Sequence, residues 1–277
     1  MRCFTPSIIK IMKRLNIHVW LILLFLTACQ SEIEDYEDVQ TMNWIAHAGG
    51  TIESHPYSNS LEALNKSYQD GFRYFELDLI EDRNGEVVAA HDWDFWKSIT
   101  ACDSAVPVNR EHYIKHKIYH KYTPMDMQAI NLWFAEHSDA VLVTDKIDDP
   151  KKLATLFVDK SRLLMELFTF DAIKQAQELD VQFMLSDCLL NQIQGDKLKY
   201  FMDNEIPAIA VCRSYLEDWS YRKFFVDCKR HGIKVYVFCV NFEPDKDEKY
   251  VFENEKKYIS GMYADKWIKE FEYTDVN

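Results

Sequence analysis

The sequence predicts a (β/α)8 TIM barrel with an extra β-hairpin after its second strand. Eight short apolar runs alternate with amphipathic helical stretches from about residue 43 onward. An Asn84-Gly85 pair, the strongest short hairpin signal, follows the second run. The span 43–277 suits a single α/β domain, and 48% hydrophobic residues with 17 Phe and 15 Tyr supply a large core.

The predicted strands are Trp44–His47, Tyr74–Leu79, Ala140–Thr144, Leu163–Leu167, Gln182–Ser186, Ala208–Cys212, Lys234–Val240 and Gly261–Ala264. Between them the helical pattern falls on Ser60–Gln69, Thr123–Glu136, Pro150–Asp159, Asp171–Leu179 and Leu216–His231. Thr123-Pro124 reads as a helix start, with Thr as N-cap and Pro in the first turn. Gly71 and Gly232 read as helix stops. A two-residue turn at Asn84-Gly85 pairs Arg83 with Glu86 and sets Asp78 opposite His91, unless a bulge shifts the register.

Residues 1–28 stand apart from the fold. Arg2, Lys10, Lys13 and Arg14 precede an apolar run from about Ile17 to Ala28, too short to cross ~30 Å of hydrocarbon. The ending Leu26-Thr27-Ala28-Cys29 resembles a bacterial lipobox, which implies cleavage, lipidation of Cys29 and anchoring to the cell envelope; a plain secretory signal or a retained anchor is the alternative. Five acids in the nine residues Gln30–Asp38 make 29–42 an acidic tether, or a tag resembling those of surface-exported lipoproteins. The domain reading is therefore a signal segment 1–28, a tether 29–42 and one barrel 43–277.

Net charge is −13, and the four basic and no acidic residues of 1–28 leave the remainder more acidic still. Such a chain is a poor nucleic-acid binder, because a phosphate backbone requires a basic face. A small anionic substrate stays open, since a bound cation can dominate the local field. Beyond Cys3 and Cys29 the cysteines are 102, 188, 212, 228 and 239, without a CxxC pair, and they read as buried free thiols. Glu111–Lys121 holds His112, His116 and His120 at helical spacing, without nearby carboxylates; it reads as a basic, aromatic surface segment rather than a zinc site. It belongs to the long 94–122 stretch, where Trp93, Trp96, Lys115 and Lys117 either meet a headgroup or simply pack.

The chemistry concentrates at strand ends, where barrel active sites lie. His47, Glu76, Asp78, Asp145, Lys146 and Asn241 all fall there. Glu76 and Asp78 share one face by the period of two, inside an otherwise apolar run, and buried paired acids usually hold a cation. A hard divalent cation on carboxylates neutralises phosphoryl oxygens, and two histidines exchange protons near neutrality. His47 and His91 beside those acids point to metal-assisted cleavage of a phosphodiester. A carboxylate beside His91 favours its protonated form and the acid role, although the two roles are interchangeable at this level.

In order and spacing, His47-Ala-Gly-Gly, Asn59-Ser60, Glu76-Leu-Asp78, Asn84-Gly85, His91-Asp92, Val237–Asn241 and Gly261–Lys266 resemble the glycerophosphodiester phosphodiesterase family. The resemblance spans about Asn43 to Lys266. It implies a phosphodiesterase-type barrel that hydrolyses glycerophosphodiesters, or related phospholipid-derived molecules, to glycerol phosphate and an alcohol. His47 and His91 would be the acid/base pair, and Glu76 and Asp78 would bind Mg²⁺ or Ca²⁺.

The chain departs from that pattern in three places. Ala48 stands where the family has a phosphate-gripping Arg; Lys146 and Arg213 are the candidate substitutes. On Val141–Lys146 the family has Glu-x-Lys, with the Glu as third metal ligand; alignment on Lys146 puts Thr144 there. Asp145 is the nearest carboxylate and on this reading needs a bulge to turn inward. Ser58 replaces the Glu of the Glu-Asn-Thr motif. The competing expectations are a lyase-type phospholipase that forms a cyclic phosphate and a non-catalytic binding lipoprotein.

Overall fold

The computed structural model describes residues 42–240 and 243–267, and divides the chain into Met1–Met42 and Asn43–Asn277. The signal segment, Cys29, the acidic tether up to residue 41 and Asn241 thus lie outside the described residues. The second unit holds the barrel.

Eight parallel strands close into a ring in the order β1 (Asn43–Ala46), β9 (Gly261–Ala264), β8 (Lys234–Phe238), β7 (Ala208–Cys212), β6 (Gln182–Ser186), β5 (Leu163–Leu167), β4 (Val141–Asp145) and β2 (Tyr74–Glu81). Pairing of β2 with β1 completes it, and β3 (Val87–Ala89) lies antiparallel on β2. The predicted barrel and its extra hairpin are both present.

Register explains which side chains meet at the axis. Ile45, Val143, Leu164, Met184, Ala210, Tyr236 and Tyr263 pack into one interior cluster. Stepping two residues along each strand from this layer keeps the inward face and reaches His47, Asp145, Glu166, Ser186, Cys212, Phe238 and Asp265. An apolar plug therefore sits under a polar rim, built by the same alternation.

The helices begin where local chemistry favours them. Ser60 caps α1 (Leu61–Asp70) by accepting from Ala63 N, and Gly71 ends it with φ 125°. Asp92 caps α2 (Trp93–Thr100) through Phe95 N. Asn109 caps the short α3 (Arg110–Tyr113). Helix α4 runs Met127–Glu136, not from Thr123. Thr123 is already bound through its N–H and hydroxyl to the Glu62 carboxylate, and Pro124 bridges to Ser60 in extended backbone. Asp126 caps this helix instead. Asp149 and Pro150 open α5 (Pro150–Leu156), Thr169 caps α6 (Phe170–Leu179), and α9 (Trp219–Arg230) closes before Gly232. Between α6 and α9 lie α7 (Asp187–Leu190) and α8 (Lys197–Asp203); α10 (Glu248–Glu255) precedes β9.

The hairpin register differs from the predicted one. Leu79 pairs with Ala89 and Asp82 N donates to Glu86 O, so the loop is three residues long, with Gly85 at φ 79°. Asp82 stabilises it by accepting from the N–H groups of Asn84 and Glu86. The extra residue moves every partner by one: Ala90, not His91, sits opposite Asp78. Among the cysteines, Cys102 and Cys228 are buried as expected, whereas Cys188 is exposed and Cys212 and Cys239 are partly so.

Candidate active site

A cavity of about 370 Å³ opens at the C-terminal end of the barrel strands. His47, Glu76, Asp78, His91, Asp145 and Lys146 all line it. A groove of about 650 Å³ beside the hairpin, between Gly85, Arg110 and Lys152, is roomier but has no histidine in its lining.

The metal-type donors come from β2 and β4. Glu76, Asp78 and Asp145 each offer a carboxylate oxygen, all within 4.8 Å of one another. Asp145 faces inward without a bulge: Asp78 pairs directly with Asp145, and Asp145 is in phase with core-facing Val143. The bend falls one residue later, at Lys146, whose φ of 65° breaks strand alternation. That turn lets consecutive residues serve one site, with Lys146 Nζ 3.2 Å from Asp145 and 3.6 Å from Asp78. Thr144 belongs to the opposite face.

Neighbouring backbone fixes these acids. The turn His47–Gly49 holds Ala48 at φ 48°, and its N–H donates to Glu76 Oε2 at 2.7 Å. The turn also depends on Gly50 at φ 92°, where an added Cβ would lie 2.0 Å from Ser67 Oγ of α1. Asn59 grips Asp78 twice: its Nδ2 donates to Oδ2 at 2.9 Å, and its Oδ1 accepts from the Asp78 N–H at 3.0 Å. Ser58, in place of the family's Glu, is buried against Ser60 Oγ.

The electrostatics are unbalanced. Burial, then the charges of Asp78 and Asp145, push Glu76 well above the usual carboxylate range. Burial, then Asp78, does the same to Asp145. Glu76 Oε1 and Asp145 Oδ1 are buried and accept no hydrogen bond. Unit charges ~4 Å apart repel by roughly 4 kcal/mol at an effective dielectric near 20. Among the described residues lining the cavity, Lys146 is the one ammonium. Burial opposes its charge, but Asp145 and Asp78 hold its pKa above the ordinary value. Three converging carboxylates with bare buried oxygens fit a hard divalent cation.

The histidines flank this cluster. His47 Nδ1 lies 3.4 Å from Asp265 Oδ1, and His91 Nδ1 lies 2.7 Å from Asp92 Oδ2. In each ring Nε2 is left for proton exchange. Burial lowers the basicity of His47, but Asp265, then Asp78 and Asp145, outweigh it and raise the pKa. The Tyr57 ring stands between them, edge-on to both at 4.6 Å from His47 and 5.8 Å from His91.

Arg213 does not join the site. It is buried on the turn after β7, where Glu255, Glu217 and Glu243 take its donors. Trp96 is core and Lys117 binds Thr123; with Trp93 and Lys115 they are absent from the cavity lining.

Sequence reasoning missed Tyr57 and Glu166. Glu166 is buried at the end of β5, and burial pushes its carboxyl up to about 7. Its signal was a lone acid with inward phase in the apolar run Leu163–Leu167. Tyr57 sits in a loop at φ 57° and left no periodic signal.

No protein-family model and no curated protein matches the chain. Solved structures do. A glycerophosphodiester phosphodiesterase from Thermotoga maritima is 17% identical, with a TM-score of 0.60, covering 81% of this chain and 94% of that one. One from Parabacteroides distasonis is 14% identical, with a TM-score of 0.61 and coverage of 81% and 93%. A phosphodiesterase from Oleispira antarctica, solved with its product sn-glycerol-3-phosphate, is 17% identical, with a TM-score of 0.62 and coverage of 82% and 95%. The chain has the fold of these enzymes, over nearly their whole length.

Proposed function

We propose that the protein is a metal-dependent phosphoric diester hydrolase that cleaves glycerophosphodiesters to glycerol phosphate and an alcohol. One observation carries this: two carboxylate-backed histidines, three carboxylates and one lysine converge on a single cavity in a barrel shared with glycerophosphodiester phosphodiesterases.

Glu76, Asp78 and Asp145 would hold Mg²⁺ or Ca²⁺, which when bound neutralises charge on the phosphoryl oxygens. Lys146 replaces the missing arginine as the cation that binds the phosphate, a point charge rather than a bidentate fork. His47 takes a proton from the attacking water at Nε2, the water's oxygen forming the new P–O bond as the alcohol leaves. Its basicity is raised partly by Asp78 and Asp145, so neutralising those acids returns it toward the neutral imidazole a base requires. His91, paired with Asp92, donates to the leaving alkoxide. Asn59 and the Ala48 N–H keep Asp78 and Glu76 in place. The lipobox-like Leu26–Cys29 supports anchoring at the envelope, close to lipid-derived diesters.

The test is a panel of glycerophosphodiesters incubated with the protein and Mg²⁺, Ca²⁺ or EDTA, with products followed by phosphorus NMR. Metal-dependent release of glycerol phosphate is the expected outcome. A cyclic phosphate would reassign the reaction to a lyase, turnover unchanged in His47→Ala would remove His47 from the chemistry, and silence from wild type and His47→Ala alike would leave an untested substrate or a binding protein.

A further inference from the structure

The segment between β3 and α4 contains a second cluster of donor atoms, chemically unlike the first. Cys102 follows α2, and His112 and His116 stand one turn apart in and after α3. The ligand atoms of all three lie within 4.8 Å of one another. Cys102 is buried, and its Sγ is 3.5 Å from His112 Nε2. The imidazoles stack nearly parallel, with centroids 4.5 Å apart and planes at 21°. His116 Nδ1 lies 2.9 Å from the carbonyl of His112. As a donor there it leaves Nε2 unprotonated, the arrangement by which outer contacts orient a metal-binding histidine.

We propose that Cys102, His112 and His116 form a binding site for a soft or borderline divalent cation of the zinc type, independent of the carboxylate site. One thiolate and two imidazoles match the donor preference of Zn²⁺, and a fourth position stays open to solvent or to Ser104 Oγ, 3.3 Å from His112 Nε2. The scaffold is already ordered. Asn109 Oδ1 accepts from His112 N, Trp96 stacks on Tyr113, and Tyr113 Oη donates to Ala89 O of β3. Binding replaces the Cys102 S–H bond by a sulfur–metal bond and releases one proton to solvent. The ion would clip the end of α2 to α3, bracing the helix whose cap, Asp92, holds His91.

The experiment uses the metal-free protein and Co²⁺ as a spectroscopic stand-in for Zn²⁺. One equivalent should give a thiolate-to-cobalt charge-transfer band in wild type and in Glu76→Gln. The band should vanish in Cys102→Ala, and Co²⁺ should bind His116→Gln at least about tenfold more weakly. Zn²⁺ should raise the Tm of Glu76→Gln and leave Cys102→Ala/Glu76→Gln unchanged. Absence of the band in wild type, its survival in Cys102→Ala, or unaltered affinity in His116→Gln would each overturn the proposal. His116 is only partly buried, so its variant remains informative if Cys102→Ala does not fold.

Discussion

Two regions of this protein bury acids beside a basic side chain, and they resolve the cost in opposite ways. Around Arg213, the buried Glu255 accepts two hydrogen bonds from the guanidinium, and the more exposed Glu217 and Glu243 each pair with both Arg213 and Lys246. Glu217 is held below its ordinary value by Lys246 first, with Arg213 adding to it against the penalty of burial. In the cavity, Glu76, Asp78 and Asp145 have only Lys146 among the described residues, and Glu76 and Asp145 are displaced upward. The first cluster has two cations for three acids, and each acid is ion-paired within the fold. The second has one cation for three acids, and that deficit is what motivates the proposed cation site. Buried charge alone therefore does not identify a site; the size of the imbalance does.

Substitution within the cavity tests this contrast most severely. Glu76→Gln and His47→Ala should each lower kcat by roughly 10²–10⁴. Glu76→Gln, which relieves repulsion, should leave the metal-free fold no less stable in a urea titration. An equally active Glu76→Gln would remove the carboxylates from the chemistry.

Arg213→Leu should behave conversely. It strands Glu255 without a partner and should cost about 3–5 kcal/mol in the same titration, while the variant that remains folded keeps the wild-type KM. A KM effect without a stability loss would restore Arg213 to the phosphate site.

Lys146→Met should raise KM by about tenfold, and Lys146→Arg should recover most of that loss, measured by initial rates at fixed Mg²⁺. Equal losses in both would mean that the ammonium only offsets Asp78 and Asp145.

The mildest change expected is in pH-dependent stability. Burial raises the Glu166 carboxyl from 4.5 in the open chain to about 7 in the fold. The folded state therefore holds its proton more tightly. The resulting contribution is complete below pH 4.5 and is lost as pH climbs through about 7. Glu166→Gln should remove this loss, so wild type should fall relative to the variant over that window. A constant difference between their urea midpoints would contradict the assignment.

Local pattern made the barrel legible. Alternation set the strands, and four of them, Leu163–Leu167, Gln182–Ser186, Ala208–Cys212 and Gly261–Ala264, end where the sequence places them. The same period of two put Glu76 and Asp78 on one face, and motif order brought His47 and His91 forward. These features depend on neighbours within a few residues, whose spacing the chain itself encodes.

Register and long-range partners account for the rest. The three-residue hairpin loop replaced Asp78–His91 with Asp78–Ala90, because Asp82 caps the turn and Gly85 takes the positive φ. The turn at Lys146 allowed Asp145 and Lys146 to face one cavity, which strict alternation forbids. Arg213 lies after a strand end much as Lys146 does, yet α10, 42 positions away, supplies the Glu255 that removes it from the site. Cys102 meets His112 and His116 only because α2 and α3 fold against each other. Sequence encodes which face a residue takes within its own strand or helix; what stands opposite is set by closure of the whole barrel.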